Sequence, residues 1–241
     1  MDTTGLLVQS PPHLRQAERL IDHLVPANNV YKRPEERNVV KWGREGRPAS
    51  WVNRSQCASF ITAVLRRSHP WARRSFFTAH FDSTSPYAKD YLRAFNQGDV
   101  PHFTQVERVT ELRPGDLIAI EYPEQHEVHT GHVVMVRELL GEYVAANEAL
   151  NLPGSTQYAV SIADCTAEPH GQYGVGQYDA YPDSRIVDAD TQHSGAGYGH
   201  MMFYADNATG RFSGYRWSVN SAAATIHPVT ERPIAAARVL D

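Results

Sequence analysis

The stretch "RPGDLIAIEY", residues 113–122, decides how the rest of the chain is read. Proline and glycine punctuate a turn, and a short run rich in apolar residues follows it. The pattern predicts a turn opening into a buried strand. Further runs of the same kind come after it. "GHVVMVREL" (131–139) and "TQYAVSIADC" (156–165) read as strands, and "GHMMFYADNATGRFSGYRWS" (199–218) as a hairpin turning at Asn207–Gly210. "RPIAAARVL" (232–240) is the last candidate.

Upstream the periodicity changes. In residues 12–25, Leu14, Ala17, Leu20, Ile21 and Leu24 recur at helical spacing. Cys57, Phe60, Ile61, Val64 and Leu65 share one face of a second helix. Asn53 or Ser55 is expected to cap that helix, and "SHP" (68–70) ends it. Residues 86–97 predict a third helix, burying Tyr87, Tyr91, Leu92 and Phe95. The segment Pro26–Asn53 reads as loop and carries Tyr31, Trp42 and Trp51. Helices followed by a run of strands predict an α+β fold, with N-terminal helices packed on a mostly antiparallel sheet.

The chain has 241 residues, 41% of them hydrophobic and 21% charged, which suits a single domain over 1–241. A net charge of -4 argues against a nucleic-acid partner, and the cluster Arg66, Arg67, Arg73, Arg74 is too short to reverse that. No apolar run is long enough to span a membrane. The start, "MDTTGLLVQSPPHLRQ", lacks the features of a signal peptide. The compartment is left open between the cytoplasm and a secreted or cell-envelope location reached after processing. Two cysteines make no disulfide framework.

Cys57 stands where a nucleophile would be activated, because a helix start favours the thiolate. Such a thiol needs a histidine within hydrogen-bond reach and a third group to orient the ring. His132 opens the strand "HVVMV". Asp164 ends the strand "YAVSIAD" and would reach His132 Nδ1 if the two strands are neighbours. Asn147 and Glu148 are its rivals. Strand alternation turns Cys165 away from that site, and no chemical role is expected of it.

These elements together resemble the NlpC-type and CHAP-type cysteine peptidases and amidases. "QCASFITAVL", "LRPGDLIAI" and "HTGHVVMV" follow that family's order: a cysteine on a helix start, a "PGDL" turn and strand, then a "GHV" strand opening with the catalytic histidine. The resemblance covers about Asn53 to Asp164 and leaves a strand-rich extension over 195–241 outside it. It implies a papain-like domain with its core at about 53–165, Cys57 as nucleophile and His132 as base. The departures are Gln56 and Ala58 beside the cysteine, and an orienting residue that in this family usually lies nearer Asn147 or Glu148. "IADCTAEPHGQYG…DSR" also resembles a stretch in uncharacterised bacterial relatives where an aspartate ends the strand, which favours Asp164.

The implied activity is a thiol hydrolase cleaving a peptide-like amide bond, with bacterial cell-wall peptide as the implied substrate. The alternatives are a secreted effector that deamidates or cleaves a protein, and an inactive papain-like binding domain. The backbone N–H of Cys57 is a natural oxyanion donor, with Gln56, Ser55 and Asn53 as candidate side-chain donors. No metal or organic cofactor is expected. His126, His129 and His132 in "HEVHTGH" recur at three-residue steps, but zinc-binding H-E-x-x-H needs a helix, which Gly131 and the following β-run oppose. "GVG" (174–176) and "GAGYG" (195–199) do not join a strand to a helix as a phosphate loop does, and turns or groove loops are expected there.

Overall fold

The computed structural model describes residues 10–124 and 130–241. Helix α1 spans Pro12–Ile21 and buries Leu14, Ala17, Leu20 and Ile21. It stops short of residue 25. The amides of His23 and Leu24 bond three residues back, tightening the chain before Pro26, whose ring disfavours a helical residue ahead of it.

The segment expected to be loop carries three strands instead. β1 (Asn29–Tyr31), β2 (Val39–Lys41) and β3 (Val52–Ser55) form a small sheet ordered β1-β3-β2, with β1 parallel to β3. β1 and β2 have three residues each and no fully buried position, too few for an alternation to register.

Helix α2 spans Cys57–Ser68. Its N-cap is Gln56, whose N–H donates to Ser59 Oγ at 2.9 Å. Asn53 and Ser55, the expected caps, belong to β3 and bond to each other at 2.6 Å. Helix α3 (Arg74–Phe81) was not expected. It has no side-chain cap, and its buried residues are Phe77 and Phe81. Helix α4 (Ala88–Gln97) buries Tyr91, Leu92 and Phe95, while Tyr87, its N-cap, is exposed.

The second sheet has eight strands: β4 (Phe103–Val106), β5 (Leu117–Glu121), β6 (Gly131–Glu142), β7 (Ser155–Thr166), β8 (Gly195–Asp206), β9 (Phe212–Arg216), β10 (His227–Pro228) and β11 (Ile234–Val239). Their order is β10-β9-β8-β7-β6-β5-β11-β4, and each neighbouring pair is antiparallel. The fold is thus α+β, with the helices on one face of an antiparallel sheet. Alternation divides the core. Leu117, Ala119, Val133 and Met135 pack with the helices, while Ile118, Ile120, Val134 and Val136 build a second core on the other face. Among the described residues no helix is long and apolar enough to cross a membrane.

Residues 195–241 are woven into this sheet. β8 pairs with β7 along its full length, from Ser155↔Asp206 to Thr166↔Gly195, and β11 lies between β5 and β4. "GAGYG" is the start of β8 rather than a turn, whereas "GVG" lies in the connection between β7 and β8.

The "RPGDL" turn is tied to β11 by its aspartate. Asp116 is 1% exposed and accepts from the Arg113 amide at 2.8 Å. Its two oxygens also accept from Arg238 at 2.9 and 2.8 Å. Removing one partner leaves the other unsatisfied. Asp116→Ala is expected to lower the unfolding free energy by about 2 kcal/mol. Urea unfolding of Asp116→Ala, Arg238→Ala and the double variant checks this. The double variant should lose clearly less than the sum of the singles. Strict additivity would mean that the pair does not act as one unit.

Candidate active site

Cys57 is the first residue of α2, and its sulfur lies 3.8 Å from the Gly131 carbonyl at the start of β6. His132 follows at once on that strand, 5% exposed. Met135 pairs with Ala163, so the register carries Asp164 opposite Val134, two residues along from His132 on the same face. At that diagonal the side chains meet: His132 Nε2 lies 2.7 Å from Asp164 Oδ2. Asp164 therefore engages Nε2, not the Nδ1 expected from the sequence, which leaves Nδ1 for the thiol. The structure brings Cys57, His132 and Asp164 together. It sets Asn147 and Glu148 apart, exposed in a short 3₁₀ turn where Asn147 Oδ1 accepts from the Ala149 amide.

Each of the three has an altered proton affinity. Burial pushes the Cys57 thiol up, but the His132 imidazole and the Val133 and Ala58 amides at the sulfur outweigh it, so the thiol falls below its ordinary value. Burial would lower His132, and the bonds to Asp164 and Cys57 instead raise it to about 9. Burial opposes the Asp164 charge, yet Arg185 first, then His170 and His132, hold it well below the usual carboxylate range. A thiolate beside an imidazolium is the arrangement these directions describe.

Asp164 is the hub of a larger buried network. Its Oδ2 also meets His170 Nε2 at 3.0 Å, and its Oδ1 accepts from Arg185 at 2.8 Å. Arg185 holds Asp183 through two bonds, at 2.8 and 2.7 Å. His170 Nδ1 faces the Trp217 carbonyl at 2.8 Å, and the Trp217 ring stacks on His170 with centroids 4.1 Å apart. The "GAGYG" strand makes room for this. A Cβ at Gly197 would sit 2.9 Å from Arg185 and one at Gly199 2.7 Å from both Asp183 and His170, so only glycine fits under the network. His170, Asp183 and Arg185 were not picked out from the sequence. All three stand in the stretch "IADCTAEPHGQYG…DSR", read there only for its strand-ending aspartate, and a second signal is the run of alternate glycines at 195–199, which leaves one face of that part of the strand without side chains.

His132, Asp164 and His170 offer three ligand atoms within 4.8 Å of one another, so a metal site was weighed. The 2.7 Å contact between His132 and Asp164 is shorter than the roughly 3.3 Å between ligand atoms around a tetrahedral zinc. Arg185 also occupies the second Asp164 oxygen. The geometry fits a hydrogen-bonded cluster and not a closed metal site. His126 and His129 lie outside the described residues.

Two cavities flank the thiol. One of about 360 Å³ is lined by Lys32, Arg37, Gln56, Cys57 and Ala58; the other, of about 570 Å³, by His132, Tyr122, Tyr215, Trp217 and Arg232. Tyr31 borders both, and its phenol is pushed up by burial and by the facing Cys57. Trp51 is core, its ring stacked on His23. Trp42 packs partly buried at the edge of the helix-side core, away from both cavities. Of the three candidate side-chain donors, Asn53 and Ser55 are spent on one another and on the sulfur of Cys165, at 3.5 and 3.6 Å. Gln56 Nε2 is buried with no partner among the described residues. Burial pushes the Cys165 thiol up to about 12, which leaves it inert.

No protein-family model matches the chain, and no solved structure matches it. The chain is similar to an uncharacterized protein, R653, of Acanthamoeba polyphaga mimivirus. The two are 29% identical over 229 residues, covering 91% of this chain and 94% of the viral one.

The His132 titration tests the network directly. In Asp164→Asn the charged acceptor is gone while the Cys57 contact remains, so the ring is expected to fall from about 9 toward the ordinary histidine value near 6.5. NMR of the histidine side chains across pH reads this. An unmoved His132 titration would show that Asp164 does not hold the imidazolium.

Proposed function

We propose that the chain is a papain-like cysteine hydrolase of the NlpC or CHAP kind, cleaving a peptide-like amide bond with Cys57, His132 and Asp164. The observation that carries this reading is the single imidazole with Asp164 at 2.7 Å on Nε2 and the Cys57 thiol on its other side, at the start of a helix. A buried histidine packed for structure alone has no need of a thiol of lowered proton affinity on one nitrogen and a fixed carboxylate on the other.

The chemistry runs as follows. The Cys57 thiolate attacks the carbonyl carbon, and the electron pair of the C=O bond moves to oxygen. The Cys57 amide, one of the unpaired N–H groups of the first turn, donates to that oxyanion, and Gln56 Nε2 is the side-chain donor without another partner among the described residues. The His132 imidazolium passes its proton to the amide nitrogen, the C–N bond breaks and the amine leaves. His132, now neutral, takes a proton from water, whose oxygen attacks the thioester. The acid departs and the thiolate–imidazolium pair is restored. Asp164 fixes the tautomer and balances the imidazolium.

The amine leaves past His132, so the leaving group belongs in the cavity that His132 lines, and the acyl portion in the cavity that Cys57 lines. The family resemblance points to bacterial cell-wall peptide as substrate. Purified peptidoglycan incubated with the protein is expected to release muropeptides; turnover of a protein glutamine or asparagine in its place would favour an effector.

Two outcomes are expected of the mechanism itself. Cys57→Ala abolishes turnover with little change in stability; full activity in that variant would sink the mechanism. The pH dependence should split by assay. Iodoacetamide reacts with the thiolate, so alkylation of Cys57 should be rapid near neutral pH and continue above pH 9. Turnover needs the imidazolium as acid, so it should fall as pH rises through about 9. Parallel loss of both rates there would contradict the assignment.

A further inference from the structure

Nearly half of the basic residues of this acidic protein fall in one segment of the chain. Residues 30–74 hold 11 of the 23 Lys and Arg but only 3 of the 27 Asp and Glu. Arg37, Arg66 and Arg74 are exposed, make no ion pair among the described residues, and line one cavity of about 360 Å³. Among the described residues no acidic one lines that cavity. It shares Arg37, Asn38, Ser59 and Ser85 with the cavity that holds Cys57, so the two are continuous. At its far end it shares Val40 with a third hollow lined by Lys41, Arg44, Arg47 and Arg67. Three arginines of the cluster that looks too short in sequence, Arg66, Arg67 and Arg74, line in space a channel leading away from the thiol.

We infer that this channel binds the acyl side of an acidic polypeptide, with carboxylate side chains within about four residues of the bond attacked. The inference rests on the proposed hydrolase chemistry. Whatever fills the channel must be covalently continuous with the carbonyl at Cys57. A nucleic acid offers no acyl carbon to a thiolate, whereas a peptide strand with aspartate or glutamate residues offers both the carbonyl and the charge. The length follows from the helix. Arg66 stands nine residues along α2 from Cys57, about 13 Å, which is the span of four extended residues. Guanidinium groups suit carboxylates because both are planar and can pair through two bonds. Among the described residues the only acidic one lining the channel's entrance is Glu36, whose carboxylate accepts from the Arg33 amide at 3.2 Å.

The test uses the full chain and fluorescently labelled probes. Their binding is read by anisotropy at two salt concentrations. The probes are a six-residue Asp/Glu peptide, the matching Asn/Gln peptide, a Lys peptide and a single-stranded oligonucleotide of equal charge. The acidic peptide is expected to bind about tenfold more tightly than its Asn/Gln counterpart and to weaken with salt. That advantage should vanish in Arg66→Glu/Arg74→Glu and shrink in the milder Arg66→Gln/Arg74→Gln. Both side chains are exposed, so neither replacement touches the core. The bound peptide should also slow alkylation of Cys57 by iodoacetamide.

Equal binding of the acidic and neutral peptides overturns the inference. So does tighter binding of the oligonucleotide, or acidic-peptide binding that leaves the alkylation rate unchanged. Failure of the parent reading looks different: Cys57 would resist iodoacetamide with no peptide present, whatever the anisotropy showed.

Discussion

Asp164 is a carboxylate with no exposed surface, and the whole candidate site depends on keeping it charged. An isolated carboxylate there would cost several kcal/mol and would take up a proton instead. It stays ionised because three side chains converge on its two oxygens: His132, His170 and Arg185, each within 3.0 Å. Arg185 is in turn fixed by Asp183, which leaves two carboxylates against one guanidinium. His170 is held at both ring nitrogens, by Asp164 Oδ2 at 3.0 Å and by the Trp217 carbonyl at 2.8 Å. So held, Asp164 raises the proton affinity of the His132 ring together with Cys57.

Rigid elements hold this arrangement at three points. Cys57 is set by the first turn of α2, His132 by β6, and Asp164 by the long β7–β8 ladder. Gly197 and Gly199 extend the logic below the site: by having no side chains they let a charged cluster lie flat on a strand, within the protein and out of water. The positioning of the His132 ring thus reaches back through Asp164 to the connection between β7 and β8.

Much of this was legible in the sequence, and the division has physical causes. The amphipathic helices at Cys57 and Ala88 and the strands β5 to β9 and β11 follow from the sequence, because their apolar runs are long enough to register, whereas β10 has only two residues and gave no sign. The pairing of His132 with Asp164 was open to argument from strand order alone. What the sequence hid was short or non-periodic. β1 and β2 are too brief to alternate, and β4 (Phe103–Val106) buries only its two ends. α3 has a polar, uncapped start that gives no signal. His170, Asp183 and Arg185 lie in irregular chain, where spacing says nothing about which groups meet. The Nε2 contact was equally out of reach, since strand neighbourhood fixes which residues approach but not which edge of a ring turns toward its partner.

The place of β11 has a bearing on how the molecule comes together. Ile234 pairs with Ile120 and Ala236 with Val106, so β5 and β4 are not paired with each other; each pairs with β11. Until that strand is made, β5 has an open edge, and the sheet that carries His132 is unfinished on one side. Pairings across more than a hundred residues form late and slowly. A nascent chain can therefore hold Cys57 on its helix well before the sheet that sets His132 is closed.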